Sequence, residues 1–334
     1  MRRVIFLRLP SGVFGNGGQA WLSIDLKPSR DMLEKRGFSI LESTVDRAIS
    51  LDLRPNDIVI YSSSDDPEIY EYMKDAFYFI RNRCQLLPHY DFLMAYENKG
   101  FQEIYRKERG FGNLDGNYFY DLDVSPRSFP YVFKTITGAG SSGVHLIRSK
   151  RDLRKLRCTI FSVSLRRRLI LLQRKWKLSK EHYAAYSYRH KGFRRYAVQE
   201  FISGLECDYK ILIFGERFFS LKRYVRKGDF RASGSGNFDF TASTPAHVLD
   251  FAASIANKLD APQLSLDIAD SGGTCHLIEY QALNFGPTTL TLSKGYYRRE
   301  SGGWAWVSGV SDLGETYAHS LEAYFDKHDI RATA

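Results

Sequence analysis

The clearest alternation of apolar and polar positions lies in residues 263–287, where two short apolar runs flank the loop 270–274 (DSGGT). Two adjacent glycines in this loop permit the positive φ angles of a chain reversal, so the pattern predicts a β-hairpin. A five-residue loop places Ala269 opposite Cys275. One face of the hairpin is then apolar and suited to a core, and it carries Leu264, Leu266, Ile268, Ile278 and Tyr280.

The other face of this hairpin is polar and carries Ser265, Asp267, Glu279 and Gln281. In the same register Ser265 lies opposite Glu279, and Asp267 is a diagonal neighbour of Glu279, about 7–8 Å away at the backbone. Two carboxylates and an amide oxygen are hard ligands that suit Mg²⁺. The alternative is an ordinary solvated face, and a register slip of one residue would remove the pattern.

The first 95 residues alternate strand-like apolar runs with helical segments. Strands that alternate with helices are typical of an α/β lobe with a mainly parallel sheet. Starts and stops such as Pro67 and Gly37 set the limits of the helices. The predicted strands are 3–9, 38–41 and 57–61, and the predicted helices are 26–37 and 67–83.

The rest of the chain reads mainly as short strands, with a polar helix predicted at 95–109. A strand ending in Lys134 leads into the glycine- and serine-rich loop 137–143. Such a hairpin tip can place backbone N–H groups against phosphate oxygens, although a plain flexible hairpin is the alternative. Further predicted elements are the strands 131–134, 144–147 and 196–202, the hairpin of 209–214 with 217–224, and the helices beginning at 244 and spanning 315–327.

Composition indicates a globular protein, with 43% hydrophobic and 14% aromatic residues in a chain of 334. The longest aliphatic run, residues 169–172, is far shorter than a membrane span. Arg8 interrupts the apolar N-terminal stretch, which argues against a signal peptide. Four dispersed cysteines without a CxxC pair favour a reduced, cytoplasmic protein without structural zinc.

The positive charge is concentrated in residues 148–195, which hold 17 Lys and Arg against two acids, a local charge of +15 in a chain of net +10. The segment is helix-prone, and Trp176 and several leucines are interleaved with its cations. Three interpretations stay open: a solvated helical face, a docking surface for an acidic polysaccharide or other acidic polymer, and peripheral docking on an anionic membrane surface. Nucleic-acid binding is not predicted, because no recognition helix or aromatic stacking motif is present.

The order of these motifs over residues 85–290 resembles that of ATP-grasp enzymes, and among them it is most similar to the RimK-type glutamate ligases. The resemblance implies an ATP-grasp fold of the α/β class with α+β lobes, in which an N-terminal Rossmann-like lobe precedes two lobes that clasp ATP. The implied limits are 1–95 for the pre-ATP-grasp domain and 96–334 for the ATP-grasp domain, with a first lobe at 128–203 containing the basic insert 148–195 and a second lobe with the metal site at 204–334.

The resemblance also implies nucleotide-binding roles for individual residues. Lys99 and Lys134 resemble the two nucleotide lysines, and Lys134 would contact the α-phosphate. The flexible loop over the β- and γ-phosphates matches Gly138, Gly140, Ser141, Ser142 and Gly143. The hinge that meets the adenine matches Glu200, Phe201 and Ile202, the ribose carboxylate matches Glu206, and the D-x-R motif after the hinge matches Asp208 but has Lys210 in place of arginine.

Arg223 resembles the arginine that neutralises the transferred phosphoryl group, and Arg231 and Ser233 resemble the polar loop between the phosphates and the acceptor. The magnesium ligands match Asp267, Glu279 and Gln281. The family usually has Asn at the position of Gln281, and Asn284 is a nearby substitute. The basic insert is also longer than the family pattern.

The function implied is that of a carboxylate–amine ligase using ATP and Mg²⁺, with Mn²⁺ as an alternative. A carboxylate attacks the γ-phosphate, and an amine converts the resulting acyl phosphate to an amide or peptide bond. Lys134, Arg223 and Arg231 are the implied catalytic residues, acting by positioning and charge neutralisation. The alternatives are an ATP-grasp kinase and a non-catalytic ATP-binding protein of the same fold. The implied partners are small-molecule or polymer carboxylates and amines.

Overall fold

The computed structural model of the chain describes residues 1–15, 21–122, 128–138, 142–162, 164–190, 193–241 and 243–332. Contacts between residues divide the chain into two compact units. The first unit comprises Met1–Leu114 and Ile202–Ala334, and the second comprises Asp115–Phe201. The predicted domain limits at 95 and 203 stay a prediction.

The N-terminal part of the first unit contains a parallel sheet that, among the described residues, has four strands in the order β2-β1-β3-β4. Ile5 and Leu7 belong to one buried cluster, whereas Val4 and Phe6 belong to another, so both faces of the sheet are covered. This confirms the predicted α/β lobe. The elements are β1 (Arg3–Arg8), α1 (Lys27–Lys35), β2 (Ser39–Thr44), a 3₁₀ helix (Val45–Ser50), β3 (Ile58–Tyr61), α2 (Pro67–Ile80), β4 (Gln85–Leu87), α3 (Tyr90–Ala95) and α4 (Lys99–Glu108).

An ion pair joins Arg3 on β1 to Asp57, which lies just before β3. Arg3 Nε donates to Asp57 Oδ1 at 2.9 Å, and the backbone N–H of Arg54 donates to Asp57 Oδ2 at 2.7 Å. Burial acts to raise the pKa of Asp57, but the hydrogen bonds from Arg3 and Arg54 outweigh burial and lower the pKa below its ordinary 3.8. The ionised carboxylate therefore stabilises the folded state above pH ~4, and this contribution is lost as the pH falls below that value.

We expect Asp57→Asn to lower the free energy of unfolding at neutral pH by about 2 kcal/mol, since Arg3 loses its charged partner. The difference between wild type and variant should shrink as the pH falls below ~4, because the wild-type carboxylate is then also neutralised. Urea unfolding over a pH series measures both quantities. Asp31→Asn is the control, since Asp31 pairs with Lys27 on the exposed face of α1 and should matter little. A loss that does not depend on pH would contradict the assignment.

The second unit contains an antiparallel sheet in the order β5-β8-β6-β7, four strands within its described residues. Phe133 on β6 and Tyr196 on β8 stack with ring centroids 4.8 Å apart at the centre of its core. The strand β5 was not predicted, because GNYF has no apolar alternation. The elements are β5 (Gly116–Phe119), β6 (Tyr131–Thr135), β7 (Val144–Ile147), α5 (Lys150–Thr159), α6 (Leu165–Lys177), α7 (Lys180–Arg189) and β8 (Tyr196–Glu200).

The C-terminal part of the first unit contains an antiparallel sheet in the order β13-β12-β9-β10-β14-β15, with β11 paired to β10. The helix α8 packs on one face of this sheet through Leu249 and Ala252, and α10 packs on the other through Leu321 and Phe325. The hairpin β14–β15 was not predicted. The elements are β9 (Cys207–Phe214), β10 (Arg217–Tyr224), β11 (Phe238–Asp239), α8 (Ala246–Leu259), β12 (Gln263–Ser271), β13 (Thr274–Gln281), α9 (Thr288–Thr291), β14 (Gly295–Glu300), β15 (Gly303–Ser308) and α10 (Leu313–Lys327).

The hairpin of β12 and β13 forms as predicted, but its register differs. Ser271 pairs with Thr274, so the turn consists of Gly272 and Gly273 alone, with φ angles of 60° and 86°. The predicted five-residue loop, with Ala269 opposite Cys275, is therefore wrong: Ala269 pairs with His276 and Asp270 with Cys275. Two glycines suffice for the turn, because both central residues of a tight hairpin turn can adopt positive φ at glycine.

With the shorter turn alone, Asp267 and Glu279 would not lie opposite one another. A β-bulge in β13 shifts the pairing by one residue and brings them to the same point of the polar face. The pairing shifts between Asp267 and Ile268, which leaves Ile278 as the extra residue and gives Leu277 the core position predicted for Ile278. Beyond the bulge Ser265 pairs with Gln281, not with Glu279 as predicted. Asp267 and Glu279 are directly opposite one another instead of diagonal.

The polar helix predicted at 95–109 is present as α4 but begins four residues later, at Lys99, because α3 ends at Ala95. The chain breaks at Glu97, which has φ of 45°, and the side chain of Asn98 accepts the backbone N–H of Phe101 to cap α4. The break makes Lys99 the first residue of α4. None of the helices in the described ranges combines the length and the apolar content that crossing a bilayer requires.

Candidate active site

A polar patch lies on one face of the antiparallel sheet in the C-terminal part of the first unit, across the four adjacent strands β13, β12, β9 and β10. Arg223 on β10 is opposite Asp208 on β9, Lys210 on β9 is opposite Asp267 on β12, and Asp267 is opposite Glu279 on β13. Paired residues and residues two apart on one strand share a face of the sheet, so these side chains all project to the same side. With Ser265 and Gln281 they form what we call the polar patch.

Arg223 joins two carboxylates within the patch. Its Nε donates to Asp208 Oδ1 at 2.6 Å and its Nη2 to Asp208 Oδ2 at 2.9 Å, while Nη2 also lies 2.9 Å from Asp267 Oδ2. The arginine is only 5% exposed. Burial acts to lower the pKa of Arg223, but Asp267 and Asp208 outweigh burial and raise it. The guanidinium is therefore fixed in position and charged.

Asp267 forms an ion pair with a second cation, Lys210 on the neighbouring strand β9. Lys210 Nζ lies 3.3 Å from Asp267 Oδ1 and donates to Ser265 Oγ at 2.9 Å. Burial acts to raise the pKa of Asp267, but Arg223 and Lys210 outweigh burial and hold this pKa at about 2. Burial also acts on Asp208 and raises its pKa to about 6, with Arg223 opposing the shift. Arg223 and Lys210 thus stabilise the ionised form of Asp267.

Lys99 adds a third cation from α4, because its Nζ lies 3.7 Å from Glu279 Oε1. Lys99 is buried, and the helix break at Glu97 and Asn98 directs the start of α4 towards β13. The patch and Lys99 together hold three carboxylates and three cations. Their formal charges cancel, and each carboxylate has at least one cationic partner.

The oxygen donors of the patch fit Mg²⁺. The direct pairing of Asp267 and Glu279 brings two carboxylates to one point of the sheet, and Gln281 adds an amide oxygen on the same face. Asn284, the substitute for Gln281, has φ of 48°, and its Nδ2 donates to the hydroxyl of Tyr96 at 3.1 Å. Its buried Oδ1 has no hydrogen-bond partner among the described residues.

Arg231 and Glu206, two further predicted residues of the first unit, also lie outside the patch. Arg231 pairs with Asp229 in the loop after β10, with Nη2 2.8 Å from Oδ2, and this hydrogen-bonded pairing lowers the pKa of Asp229 to about 2. The side chain of Glu206 is exposed, and its carbonyl accepts the N–H of Val225. The roles implied for Arg231 and Glu206 stay predictions.

The remaining predicted residues belong mainly to the second unit. Lys134 is buried on β6, opposite Val144 and Ala197. Gly143 has φ of 71°, and a Cβ there would overlap the Thr135 hydroxyl, so the tip of this hairpin requires glycine.

Around the same tip, Gly138 has φ of 124° and Ser142 is exposed, whereas Gly140 and Ser141 fall outside the described residues. At the end of β8, Glu200 is exposed and Phe201 is half buried, and the chain then enters the first unit at Ile202, also half buried.

Lys210 is the residue of the patch whose role sequence reasoning missed. The sequence showed it as a departure from a D-x-R motif, whereas it forms an ion pair with Asp267. The predicted strand 209–214 includes Lys210 but stops short of Asp208, whereas β9 begins at Cys207, so Asp208 and Lys210 lie two apart on one strand and share a face. Which strand lies beside them is a long-range property, since β12 pairs with β9 about 55 residues away.

Comparison with solved structures identifies the fold of the chain. No known family model matches the chain, and no curated protein matches it in sequence. Many solved structures match the chain, among them three that align over nearly their full length. An ATP-grasp ligase associated with a RiPP from Chryseobacterium gregarium, in complex with ADP and a leader and core peptide, has 11% identity and a TM-score of 0.53 and covers 98% of this chain and 97% of its own.

Two further structures agree with the first. The ATP-grasp ligase PsnB, complexed with a minimal precursor, has 12% identity and a TM-score of 0.52 and covers 96% of this chain and 99% of its own. The D-cycloserine synthetase DcsG has 10% identity and a TM-score of 0.51 and covers 95% and 98%. At such low identity the likeness concerns the fold, and it agrees with the order of motifs in the sequence. The chain therefore has the ATP-grasp fold.

Proposed function

We propose that this protein is an ATP-dependent carboxylate–amine ligase that forms an amide or peptide bond through an acyl phosphate. The observation that carries the proposal is the polar patch together with Lys99 of α4. Arg223 and Lys210 in the patch, and Lys99 beside it, neutralise Asp208, Asp267 and Glu279. The three similar structures are described as ligases or a synthetase, which supports the same class of reaction.

In the proposed reaction a substrate carboxylate forms a bond to the γ-phosphorus of ATP, and the bond to the β,γ-bridging oxygen breaks to release ADP. The amine then attacks the acyl carbon, phosphate leaves, and the amine proton passes to solvent. Asp267 and Glu279, with Gln281, would hold Mg²⁺ (or Mn²⁺), which supplies charge neutralisation to the phosphates. Arg223 contributes a fixed guanidinium, and Arg223 and Lys210 together keep Asp267 ionised. A consumer of ATP of this kind would act in the cytoplasm.

The test is ADP release in a screen of amino acids, peptides and sugar acids, with hydroxylamine present as the amine. An acyl phosphate reacts with hydroxylamine to give a hydroxamate, which mass spectrometry identifies. ADP together with a hydroxamate supports the ligase. ADP with a stable phosphorylated product would identify a kinase instead, and ATP binding without ADP release across the screen would identify a non-catalytic protein.

Lys134 gives a separate test of nucleotide binding. We propose that its buried ammonium contacts the α-phosphate, so Lys134→Ala should raise the dissociation constant of ATP by about 10–100-fold, the effect of losing one charge-assisted hydrogen bond. Isothermal titration with a non-hydrolysable ATP analogue measures this constant. Lys155→Ala is the matched control, because Lys155 is an exposed lysine of the same unit. An equal effect of both substitutions would refute the role of Lys134.

A further inference from the structure

The outer face of α6 carries an uncovered apolar stripe, and we propose that this stripe docks on an anionic phospholipid bilayer. The stripe consists of Leu165, Leu169, Leu172 and Trp176, whose spacings of four, three and four residues place them in one line along the helix. Their exposed fractions are 73%, 54%, 56% and 88%.

The opposite face of α6 holds the helix to the second unit. Ile170 and Leu171 are half buried on that face, and the guanidinium of Arg174 lies 5.9 Å from the ring centroid of Tyr186 on α7. No residue of α6 is fully buried. The four side chains of the stripe therefore do not contribute to the core of their own unit. The contacts that hold α6 in place come from its opposite face.

The charges of α6 complement an anionic surface. The helix carries six cations and no acid. Arg166 borders the stripe on one side, and Arg168 and Lys175 border it on the other, by the helical periodicity of 100° per residue. Of the two acids in residues 148–195, Asp152 is engaged in capping α5, where it accepts from the hydroxyl of Ser149.

An anionic bilayer is the partner that can contact both the apolar stripe and the cations beside it. An acidic polymer in water would pair with the cations but would leave the leucines and the tryptophan exposed. A second copy of the chain would cover the stripe but would bring two helices of six positive charges together. An anionic bilayer accepts the stripe at the boundary of headgroups and acyl chains and pairs its headgroups with the flanking cations.

The test is co-sedimentation of the full chain with vesicles of equal parts phosphatidylglycerol and phosphatidylcholine, and with pure phosphatidylcholine. We expect binding to the anionic vesicles at low salt, loss of binding at 0.5 M salt, and weak binding to the neutral vesicles. Trp176→Ala should weaken the partition coefficient at least tenfold. The matched control is Trp21→Ala, since Trp21 is 79% exposed in the first unit and should leave the coefficient unchanged.

The double variant Arg166→Gln and Arg168→Gln separates the two contributions. It should reduce both the affinity and its dependence on salt, while circular dichroism confirms that α6 still folds. Equal binding to neutral and anionic vesicles, equal effects of Trp176→Ala and Trp21→Ala, binding to polyglutamate without binding to vesicles, or concentration-dependent dimerisation that Trp176→Ala abolishes would each overturn the proposal. None of these measurements uses ATP turnover, so they stand apart from the proposed enzymatic function.

Discussion

Glu279→Gln and Asp267→Asn should each lower ATP turnover by about a thousandfold. Each substitution removes one anionic oxygen donor from the point where β12 and β13 pair, and losing a metal ligand costs several kcal/mol of transition-state stabilisation. Glu279→Gln is the cleaner of the two, because Glu279 has one ion pair at 3.7 Å, with Lys99. Asp267→Asn also breaks contacts to Arg223 and Lys210, so part of its effect will be on stability.

The control for both is Asp270→Asn. Asp270 lies on the same strand and pairs with His247 at 2.9 Å, but it sits beside the turn and outside the polar patch. Steady-state turnover should change little in this variant, and urea unfolding corrects the other two for stability. A second readout is Mn²⁺ binding in the presence of ATP, followed by electron paramagnetic resonance, which should weaken in Glu279→Gln. Normal turnover by either patch variant would sink the metal assignment.

The hairpin shows how far local pattern determines a site. Alternation along β12 and β13 correctly selected Asp267, Glu279 and Gln281 as one polar face, although the predicted turn was three residues too long. The predicted residues still share a face because the bulge at Ile278 adds one residue to β13. Beyond the bulge the pairing is shifted by one residue, which places Asp267 and Glu279 opposite one another. Apolar alternation fixes which residues share a face, but nothing in the pattern marked the bulge.

The rest of the patch depends on which strands become neighbours. Arg223 and Asp208 face each other across the hairpin β9–β10, whose two strands were predicted, although Asp208 lies one residue before the predicted start of β9. The contact between Lys210 and Asp267 requires β12 to add beside β9, which is decided by burial of the whole sheet under α8 and α10. The ion pair of Arg231 with Asp229 lies in a loop, where the alternation of apolar and polar residues gives no prediction of side-chain contacts.

Arg223→Ala should lower the rate of the chemical step by about 10²–10³-fold while changing the Michaelis constant for ATP little. The reason is that charge on the transferred phosphoryl group develops in the transition state, where a fixed guanidinium contributes most. Its two bonds to Asp208 and its contact with Asp267 hold the guanidinium in place before substrate arrives. Single-turnover kinetics, in which ADP formation is followed with enzyme in excess, measure this step directly.

A stability artefact must be separated from this effect, because Arg223→Ala leaves Asp208 buried beside Asp267 without its counter-ion, at a cost of about 3–5 kcal/mol. The double variant Asp208→Asn with Arg223→Met removes the orphaned charge and fills the volume, so it should regain most of the stability and none of the rate. Arg217→Ala is the matched control, since Arg217 begins the same strand and stacks on Tyr296. If the double variant recovered its rate together with its stability, or if Arg223→Ala raised only the Michaelis constant for ATP, then Arg223 would be a structural or ground-state contact and not the neutralising group of the reaction.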